Sequence, residues 1–550
     1  MIICASPKIF RLGILLIAIF TSSLVSASTM SEQQRWYGEV VADQFGIAMS
    51  PIGDVNGDYR EDFLVGANVN DAQVQSGGRA YLYLGGTTYP SFEEGYFDGY
   101  IVRGYAGGAA AGGFDLNGDF YDDWVVGAPG LGPDDQHPGS VYVFYGGETP
   151  DMVPDATLVG TAPGGQFGQA VTLINDWNGD GYADLAVGAP RAGNGQVSIY
   201  LGGLDGISST PAIVIHARPG DSRFGKSLTT LADRNGDSRA ELLVGVPRSF
   251  EAATWAGAVL LFDGSATLDT IPDLILLGES AGDEFGTSLS AAADADGDGV
   301  PDILVGAPFA NPNQLLDAGR AYLFGTSGGL DATPDLTLSG STIDERFGYA
   351  VTLGFDWDED GQNDLAVGAP DRANGLLAYA GEVEVHFGGA ILDTVPDDLI
   401  TGDSADLHLG TSLVWGGDLQ GSHGTTLCAG GYNAVNAGQV LVFGRNEMQV
   451  AAVLPGPSIE ARLATPWPNP ANPATAIALD VERSGTWQVS IHDLRGRLVA
   501  QLFEGHLPAG QRTWRWQGVD VTGRPAASGV YLVHASNGSS QLVRRFSVVR

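Results

Sequence analysis

Hydrophobic positions occur along the chain in short runs of four to six residues, each bounded by Gly, Pro or Asp. Residues 141–145 and 184–188 are two examples, rich in β-branched and aromatic types. Such runs predict short β-strands. No segment places apolar residues at the 3.6-residue period of a long helix. The pattern therefore predicts an all-β protein.

The runs belong to an internal repeat. An Asp that opens a short acidic, Gly-containing loop recurs with spacings of 61, 61, 57, 61, 62 and 62 residues. The seven positions are Asp54, Asp115, Asp176, Asp233, Asp294, Asp356 and Asp418. A fixed period of this kind indicates an architecture in which each unit packs on its neighbours.

Two further landmarks keep a fixed distance from each of these Asp residues. A Phe-Gly pair stands nine residues before it, as at Phe167-Gly168, and weakens to Ala106-Gly107 and Leu409-Gly410. A Gly stands twelve residues after it and usually opens Gly-Ala-Pro, as at Gly188. Three or four strands per unit, repeated seven times, predict a β-propeller. A β-solenoid is the competing fold, although its repeats are usually about 20–30 residues long.

The three landmarks in one register resemble FG-GAP repeats, as in the seven-bladed propeller of integrin α subunits and in many bacterial secreted proteins. The resemblance covers roughly residues 33–450. It implies a seven-bladed propeller over residues 28–452. It also implies that the segment around Trp36-Tyr37 pairs with the last repeat and closes the ring.

The acidic loop of each repeat has the residue types of a cation site. The fifth loop has oxygen side chains at positions 1, 3, 5 and 9, counted from Asp294, and a backbone carbonyl at position 7. Hard oxygen ligands without His or Cys favour Ca²⁺, whereas Mg²⁺ needs a strict octahedron. A single loop of this kind is equally well explained as a turn, because Asp, Asn and Gly form turns.

Six loops keep the pattern, which predicts about five or six structural Ca²⁺ ions. The predicted ligands, in loop order and with position 7 acting through its backbone carbonyl, are Asp54, Asn56, Asp58, Arg60 and Asp62; Asp115, Asn117, Asp119, Tyr121 and Asp123; Asp176, Asn178, Asp180, Tyr182 and Asp184; Asp233, Asn235, Asp237, Arg239 and Glu241; Asp294, Asp296, Asp298, Val300 and Asp302; Asp356, Asp358, Asp360, Gln362 and Asp364. Glu241 is expected to weaken the fourth site, and Glu359 to strain the sixth turn. The seventh loop has Gln420, Ser422 and Thr426 at ligand positions and is predicted to be empty.

Composition narrows the function further. The 80 Gly and 28 Pro among 550 residues exclude a helical bundle. A formal charge of −38 opposes nucleic-acid binding, because phosphates would be repelled over most of the surface. Cys4 and Cys428 are the two cysteines, so no disulfide framework is expected in the mature chain.

Residues 1–27 read as a secretory signal peptide, with Lys8 and Arg11 before an apolar stretch and a small-residue cleavage site ending at Ala27. An uncleaved membrane anchor is the alternative, but the strongly apolar part is short for a span of about 20 residues. No later segment is apolar enough to cross a bilayer. The chain is therefore expected to be exported.

After about residue 450 the composition changes. Residues 458–550 hold 10 Arg and 6 acidic residues, whereas residues 28–457 hold 15 basic and 59 acidic residues. A Pro-rich linker is predicted at 453–466, followed at 467–550 by a small immunoglobulin-like β-sandwich of six or seven strands. The motifs at 468–473, 493–497, 507–510 and 527–532 resemble the immunoglobulin-like domain of flagellar hook-capping proteins and type IX secretion sorting domains. That resemblance implies a contact with secretion machinery and export across the outer membrane, so that the chain is secreted or stays on the outer cell surface. An accessory stabilising sandwich is the alternative.

No catalytic motif is evident. The eight His residues are scattered without metal-hydrolase spacing, and Gly325-x-Ser327-x-Gly329 lies between predicted strands. The leading hypothesis is a non-enzymatic adhesion or binding module for an extracellular protein or glycan, with candidate contact loops at 68–77, 249–256, 309–318 and 371–380. The alternative is a secreted hydrolase or lyase with its active site in the propeller channel.

Overall fold

Short strands joined by Gly- and Asp-rich turns build nine antiparallel sheets in the described part of the chain. The computed structural model describes residues 30–90, 93–132, 134–265, 269–325, 332–354, 356–358, 360–389, 392–420, 425–432, 437–445, 461–463, 474–481, 484–493, 497–508, 510–537 and 541–548. The predicted signal peptide and most of the predicted linker lie outside these ranges. Among the described residues, no helix is long and apolar enough to cross a membrane.

Seven four-stranded sheets form the blades of a propeller, as predicted. Blades 1 to 3 consist of β2 (Phe45–Gly53), β3 (Asp62–Ala67), β4 (Arg79–Tyr83), β5 (Gly95–Asp98); β6 (Ala109–Phe114), β7 (Asp123–Ala128), β8 (Ser140–Phe144), β9 (Ala156–Val159); β10 (Ala170–Ile174), β11 (Asp184–Ala189), β12 (Gln196–Tyr200), β13 (Ile213–His216). Blades 4 to 6 consist of β14 (Leu228–Leu231), β15 (Glu241–Val246), β16 (Ala258–Phe262), β17 (Leu274–Leu277); β18 (Ser288–Ala293), β19 (Asp302–Ala307), β20 (Arg320–Phe324), β21 (Leu336–Ser339); β22 (Val351–Gly354), β23 (Asp364–Ala369), β24 (Glu382–His386), β25 (Asp398–Thr401). A 3₁₀ turn, Pro312–Gln314, lies in the fifth blade.

The seventh blade combines the two ends of the repeat region. β26 (Ser412–Gly417), β27 (Thr426–Gly431) and β28 (Gln439–Arg445) are completed by β1 (Met30–Tyr37), which pairs antiparallel with β28. Trp36 of β1 is buried and stacks on Tyr83 of the first blade, with ring centroids 4.3 Å apart. The predicted closure of the ring is confirmed.

The Phe-Gly and Gly-Ala-Pro landmarks meet between blades. Each Phe-Gly glycine has a left-handed backbone, for example φ +86° at Gly168, which residues with a Cβ rarely adopt. Its carbonyl oxygen points at the Gly-Ala-Pro glycine of the preceding blade, where an added Cβ would lie only 2.0–2.3 Å away in all seven blades. The motif is therefore a backbone-to-backbone contact that only glycine allows on both sides.

This contact gives a direct test. Gly188→Ala places a Cβ 2.1 Å from the carbonyl oxygen of Gly225 and must push the third and fourth blades apart. We expect the free energy of unfolding of the whole chain to fall by about 1–3 kcal/mol or more in urea titrations, since a packed interface cannot absorb an extra methyl group. The matched control is Gly203→Ala, which meets no atom within 4 Å. Equal stability of the two variants would contradict this interpretation of the motif.

The C-terminal domain is the predicted sandwich of seven strands. One sheet contains β29 (Ala461–Leu463), β30 (Thr475–Val481) and β33 (Gly510–Trp516), and the other contains β31 (Gly485–Asp493), β32 (Leu498–Leu507), β34 (Gly529–Ser536) and β35 (Gln541–Val548). Trp487, Ile491 and Phe546 are buried in its core. β29 falls inside the stretch predicted as linker and pairs with β30, so the sandwich begins earlier than its composition indicates.

Candidate metal centres and binding face

The two ends of the propeller carry different loops. The end that we call the lower face holds the acidic loops, which join the first strand of each blade to the second. The upper face holds the loops that join second to third strands and the connections from one blade to the next. All four candidate contact loops join second to third strands and so belong to the upper face.

Backbone hydrogen bonds shape each acidic loop around its first carboxylate. In the fifth loop, Asp294 Oδ1 accepts the N–H of Gly297 at 2.7 Å and Oδ2 accepts the N–H of Gly299 at 2.8 Å. Both glycines are left-handed, with φ of +79° and +90°, which curls the chain around the carboxylate. The first Asp of the other five predicted sites accepts backbone N–H groups in the same way.

The ninth position supplies a buried carboxylate in all six loops. Both oxygens of Asp62, Asp123, Asp184 and Asp364 accept backbone N–H groups, whereas Asp302 and Glu241 each keep one oxygen without a partner among the described residues. Asp302 is fully buried, and its Oδ2 accepts the N–H of Ala295 at 2.8 Å. Its Oδ1 is also buried and has no hydrogen-bond partner among the described residues. Glu241 Oε2 and Asp356 Oδ1 are in the same condition. Because buried anionic oxygens need a partner, these atoms fit a bound cation.

The structure brings three predicted ligands close together in each of two loops. In the fifth and sixth loops, carboxylate oxygens at positions 1, 3 and 9 lie within 4.8 Å of one another, in the sets Asp294, Asp296, Asp302 and Asp356, Asp358, Asp364. The carboxylate at position 5 is not part of either group; Asp298 Oδ1 instead accepts the N–H of Val300. The first four loops have Asn at position 3, so they offer an amide oxygen there.

The carboxyl groups at position 9 have raised pKa values, because they are buried and lie close to other carboxylates. Burial raises the pKa of the carboxyl groups at position 9, to about 8 for Asp62, Asp123 and Glu241 and to about 7 for Asp184, Asp302 and Asp364. Neighbouring carboxylates of the same loop raise the pKa further, while backbone N–H groups lower it. A divalent cation would offset the cost of burying these charged carboxylates and the repulsion between them.

The seventh loop differs as its sequence predicts. Thr426 at position 9 is buried, but its hydroxyl donates to the carbonyl of Gly417 at 2.8 Å instead of offering a carboxylate. Ser422 lies outside the described residues. The loop thus replaces the buried anion with a neutral, satisfied hydroxyl, and its lack of an ion remains a prediction.

Neighbouring acidic loops touch one another around the ring. Asp122 Oδ2 accepts the N–H of Asp54 in the preceding blade at 2.8 Å, and the ring of Tyr121 lies against Gly57. Asn363 and Asp294 repeat the contact between blades 5 and 6 at 3.2 Å. Sequence reasoning missed these links, although they occupy a fixed place one residue before position 9. They couple the shape of one acidic loop to the next.

The C-terminal domain rests against this lower face. Arg515 Nη2 donates to the carbonyl of Phe120 at 2.9 Å, and its guanidinium lies 5.8 Å from the centre of the Phe120 ring. A cavity of about 350 Å³ separates the sandwich from the acidic loops of blades 1 to 3, with Asp54, Asp115 and Thr475 among its walls. The basic sandwich thus contacts the acidic propeller beside its cation loops.

The upper face has its own sevenfold feature, which we call the mouth ring. The residue before each Phe-Gly landmark has a left-handed backbone, with φ between +50° and +62°, although none of the seven is glycine. They are Gln44, Tyr105, Gln166, Arg223, Glu284, Arg346 and His408. The first strands of successive blades contact one another and line the channel, so these side chains surround its upper opening. Their fixed offset was the available sequence signal.

One side of the mouth ring is aromatic. His408 lies between the rings of Tyr379 and Tyr432, stacked with both at 5.5 Å between centroids. Its Nδ1 is 2.8 Å from Asp371 Oδ1, and Arg346 Nη1 is 3.0 Å from Asp371 Oδ2. Tyr379 and Asp371 belong to the candidate loop 371–380. Flat rings, a cation and hydrogen-bonding groups thus meet on an accessible surface.

Comparisons with known proteins agree with the architecture. The FG-GAP repeat family matches residues 167–200 and 285–324, and the FlgD Ig-like domain family matches residues 472–541. The chain is 38% identical over 164 residues to phosphatidylinositol-glycan-specific phospholipase D of Bos taurus, covering 27% of this chain and 19% of the relative. It is 31% identical over 246 residues to integrin alpha-5 of Xenopus laevis, covering 42% of this chain and 22% of the relative. The chain thus spans about a fifth of the length of these relatives.

Among solved structures, the chain is similar to PorZ, described as an essential bacterial surface component of the type-IX secretion system of Porphyromonas gingivalis. The sequence identity is 13% and the TM-score 0.35, over 89% of this chain and 58% of that chain. The repeats and the terminal domain are therefore identified by their sequence matches: FG-GAP repeats in the propeller, and an FlgD Ig-like domain after it.

Proposed function

We propose that this chain, a seven-bladed propeller of FG-GAP repeats followed by an FlgD Ig-like domain, is a secreted or surface-attached binding protein. Its lower loops hold about five or six Ca²⁺ ions, and its upper face binds an extracellular protein or glycan. The observation that carries the proposal is the division between the two faces. On the lower face, carboxylate oxygens of one loop converge to within 4.8 Å of one another, as in Asp294, Asp296 and Asp302. On the upper face, His408 stacks between Tyr379 and Tyr432 beside the ion pair of Arg346 and Asp371.

Calcium is the cation that the donor set favours. The loops offer carboxylate and amide oxygens and no His or Cys, which suits a hard cation. Asp302 Oδ1 and Glu241 Oε2 are buried and accept no hydrogen bond from a described residue, so they are free to bind such an ion within the described part of the chain. When bound, the ion neutralises the clustered carboxylates and so stabilises the blades; it has no catalytic part in this proposal.

Export and attachment are assigned to the two ends of the chain. The predicted signal peptide directs passage across the inner membrane, and the FlgD Ig-like domain contacts the secretion machinery, in line with its resemblance to sorting domains. The similarity to integrin alpha-5 supports an adhesive or ligand-binding role for the propeller, although it covers only 42% of this chain. The contact of Arg515 with Phe120 holds the FlgD Ig-like domain against the lower face of the propeller before export is complete.

Binding is preferred to catalysis because of the contacts made by the His–Asp pair found among the described residues of the upper face, His408 and Asp371. Asp371 is shared between His408 and Arg346, so its charge is already neutralised. The described hydrogen bonds place no hydroxyl or thiol on the other ring nitrogen of His408. The rings on either side of His408 serve a flat ligand better than a nucleophilic mechanism.

The proposal is tested with the whole mature chain. We expect an antibody against the propeller to label intact producing cells or their medium, and the purified chain to bind members of a panel of extracellular proteins and glycans in 1 mM Ca²⁺, a concentration about that of weak extracellular calcium sites. EGTA should abolish this binding, and added Ca²⁺ should restore it. Restriction of the protein to the cytosol, or retention of no panel member with Ca²⁺ present, would reject the proposal.

A further inference from the structure

The propeller is strongly acidic, yet two of its cations form no ion pair with a described carboxylate. Residues 28–457 hold 15 basic and 59 acidic residues. Among the described side chains of the propeller, every Arg except Arg191 lies within 4.0 Å of a carboxylate. Lys226 also forms no ion pair with a described residue. The propeller has about four carboxylates for each cation. The fold nevertheless keeps these two cations away from the described carboxylates.

The two cations are neighbours on the upper face. Lys226 follows the Phe-Gly pair of the fourth blade, and its N–H donates to the carbonyl of Arg223 in the mouth ring at 3.1 Å. Arg191 follows the Gly-Ala-Pro of the third blade and is exposed. Burial lowers the pKa of Lys226, and repulsion from Arg223 and Arg191 lowers it further, while Glu284 opposes them. The positive charges are therefore close enough to repel one another.

Among the described residues, Glu284 is the one carboxylate that forms ion pairs with this group. Glu284 Oε1 is 2.8 Å from Arg248 Nε, and its Oε2 is 3.7 Å from Arg223 Nη1. We call Arg191, Arg223, Lys226 and Arg248 the basic cluster. One anion cannot neutralise four cations, so the basic cluster keeps a net positive charge at the opening of the channel.

Exposed aromatic rings lie beside the basic cluster. The guanidinium of Arg248 stacks 4.8 Å from the ring centre of Trp255, which is 42% exposed, and Phe250 of the same loop is 47% exposed. An acidic peptide would need the cations alone. A sugar ring also presents an apolar C–H face that packs on an aromatic side chain, so rings beside unpaired cations match an anionic sugar better.

We propose that the basic cluster, with Phe250 and Trp255, binds an anionic carbohydrate on the upper face of blades 3 to 5. The carboxylate of a uronate or the sulfate of a sulfated sugar accepts hydrogen bonds from Arg191 and Lys226, and the sugar ring packs against Trp255. This inference rests on the proposed binding function and names the class of its ligand.

The test uses the mature chain with Ca²⁺ present and isothermal titration calorimetry. The probes are an oligogalacturonate, a heparin-derived oligosaccharide, a neutral cello-oligosaccharide and an oligoglutamate peptide, and the first two separate carboxylate from sulfate recognition. We expect at least one anionic oligosaccharide to bind and the neutral one not to bind. The double variant Arg191→Gln/Lys226→Gln should weaken that binding about tenfold or more, because charge-assisted hydrogen bonds to the anion are lost.

Two controls separate binding from folding. Arg103→Gln removes a cation that is paired with Asp135 at 2.8 Å outside the basic cluster, and it should leave affinity unchanged. The double variant should melt at the same temperature as the parent or higher without ligand, because replacing two mutually repelling cations relieves repulsion. Trp255→Leu should weaken carbohydrate binding while leaving the cations in place.

Several results would overturn the inference. They are binding of neither anionic oligosaccharide, binding of oligoglutamate alone, or equal losses in the double variant and in Arg103→Gln. If the chain binds other extracellular partners and the double variant binds them equally well, the basic cluster is refuted while the proposed function stands. If the chain binds nothing extracellular, both fail together.

Discussion

Removal of bound divalent cations with EGTA will lower the melting temperature of the whole chain by about 10 °C or more. Each occupied loop at 100 times its dissociation constant stabilises the fold by about 2.7 kcal/mol, so several loops together exceed about 10 kcal/mol. Buried oxygens such as Asp302 Oδ1 are left without a partner when the ion leaves. Differential scanning calorimetry with Ca²⁺, with EGTA and after readdition of Ca²⁺ measures the shift.

The same experiment has a pH signature. Carboxyls with a pKa of about 7 to 8 in the metal-free fold, such as Asp62 and Asp184, have a pKa of about 4 when unfolded. The folded chain therefore binds protons more tightly. The free energy of unfolding of the EGTA-treated protein should fall as pH rises from about 4 to 8. Saturating Ca²⁺ should remove this decline, because the ion replaces the proton.

A matched pair of loops provides the control. Asp302→Asn removes the charge of a buried carboxylate in the fifth loop and should reduce the calorimetric Ca²⁺ count by about one. Asp418→Asn in the seventh loop, which has a neutral Thr426 at position 9, should leave the count unchanged. If the protein binds no Ca²⁺ and melts at the same temperature in EGTA, the six acidic loops are turns and not cation sites.

Truncation of one tryptophan on the closing strand will destabilise the propeller more than any other single substitution proposed here. Trp36 is 3% exposed, stacks on Tyr83, lies 5.8 Å from the ring of Phe63 and donates its indole N–H to the carbonyl of Pro90 at 2.7 Å. Trp36→Ala should lower the free energy of unfolding by about 3–5 kcal/mol, since it leaves a large cavity between the first and last blades. Urea unfolding followed by circular dichroism measures the loss.

The neighbouring residue on the same strand is the control. Tyr37 is 66% exposed, so Tyr37→Ala should change the free energy of unfolding by about 0.5 kcal/mol or less. Trp36→Ala should also bind to a synthetic peptide of residues 30–37, because its own β1 releases β28 more easily. A Trp36→Ala protein as stable as Tyr37→Ala would mean that β1 does not hold the ring together.

Much of the fold follows from spacing. A repeat with Phe-Gly, Asp and Gly-Ala-Pro in one register fixes seven blades, because each landmark is required by a backbone contact such as that between Gly188 and Gly225. The resemblance to integrin α propellers supplied the closure by β1, which no local pattern could provide, since its partner strand lies about 400 residues away. Sequence signals were strong wherever the geometry tolerates only one residue type.

Other features of the structure could not be predicted, because their backbone geometry accepts many residue types. The mouth ring holds Gln, Tyr, Arg, Glu and His at one conformation, so composition gave no sign of it. The loop spacing predicted Asp298 as a ligand beside Asp294; its Oδ1 accepts the N–H of Val300, and its part in a cation site stays a prediction. The pairing of Arg515 with Phe120 depends on how two domains meet, which no motif within either domain records.

The closing strand also sets the order in which the molecule can be completed. β1 is synthesised first, yet it pairs with residues 439–445, so one blade stays open until the last repeat exists. Contacts so distant in sequence form late and slowly. A chain that crosses a membrane unfolded benefits from this delay, because no closed ring can form while either end is still in transit. Predicted cleavage after Ala27 would then leave β1 next to the new terminus, free to complete the molecule on the far side.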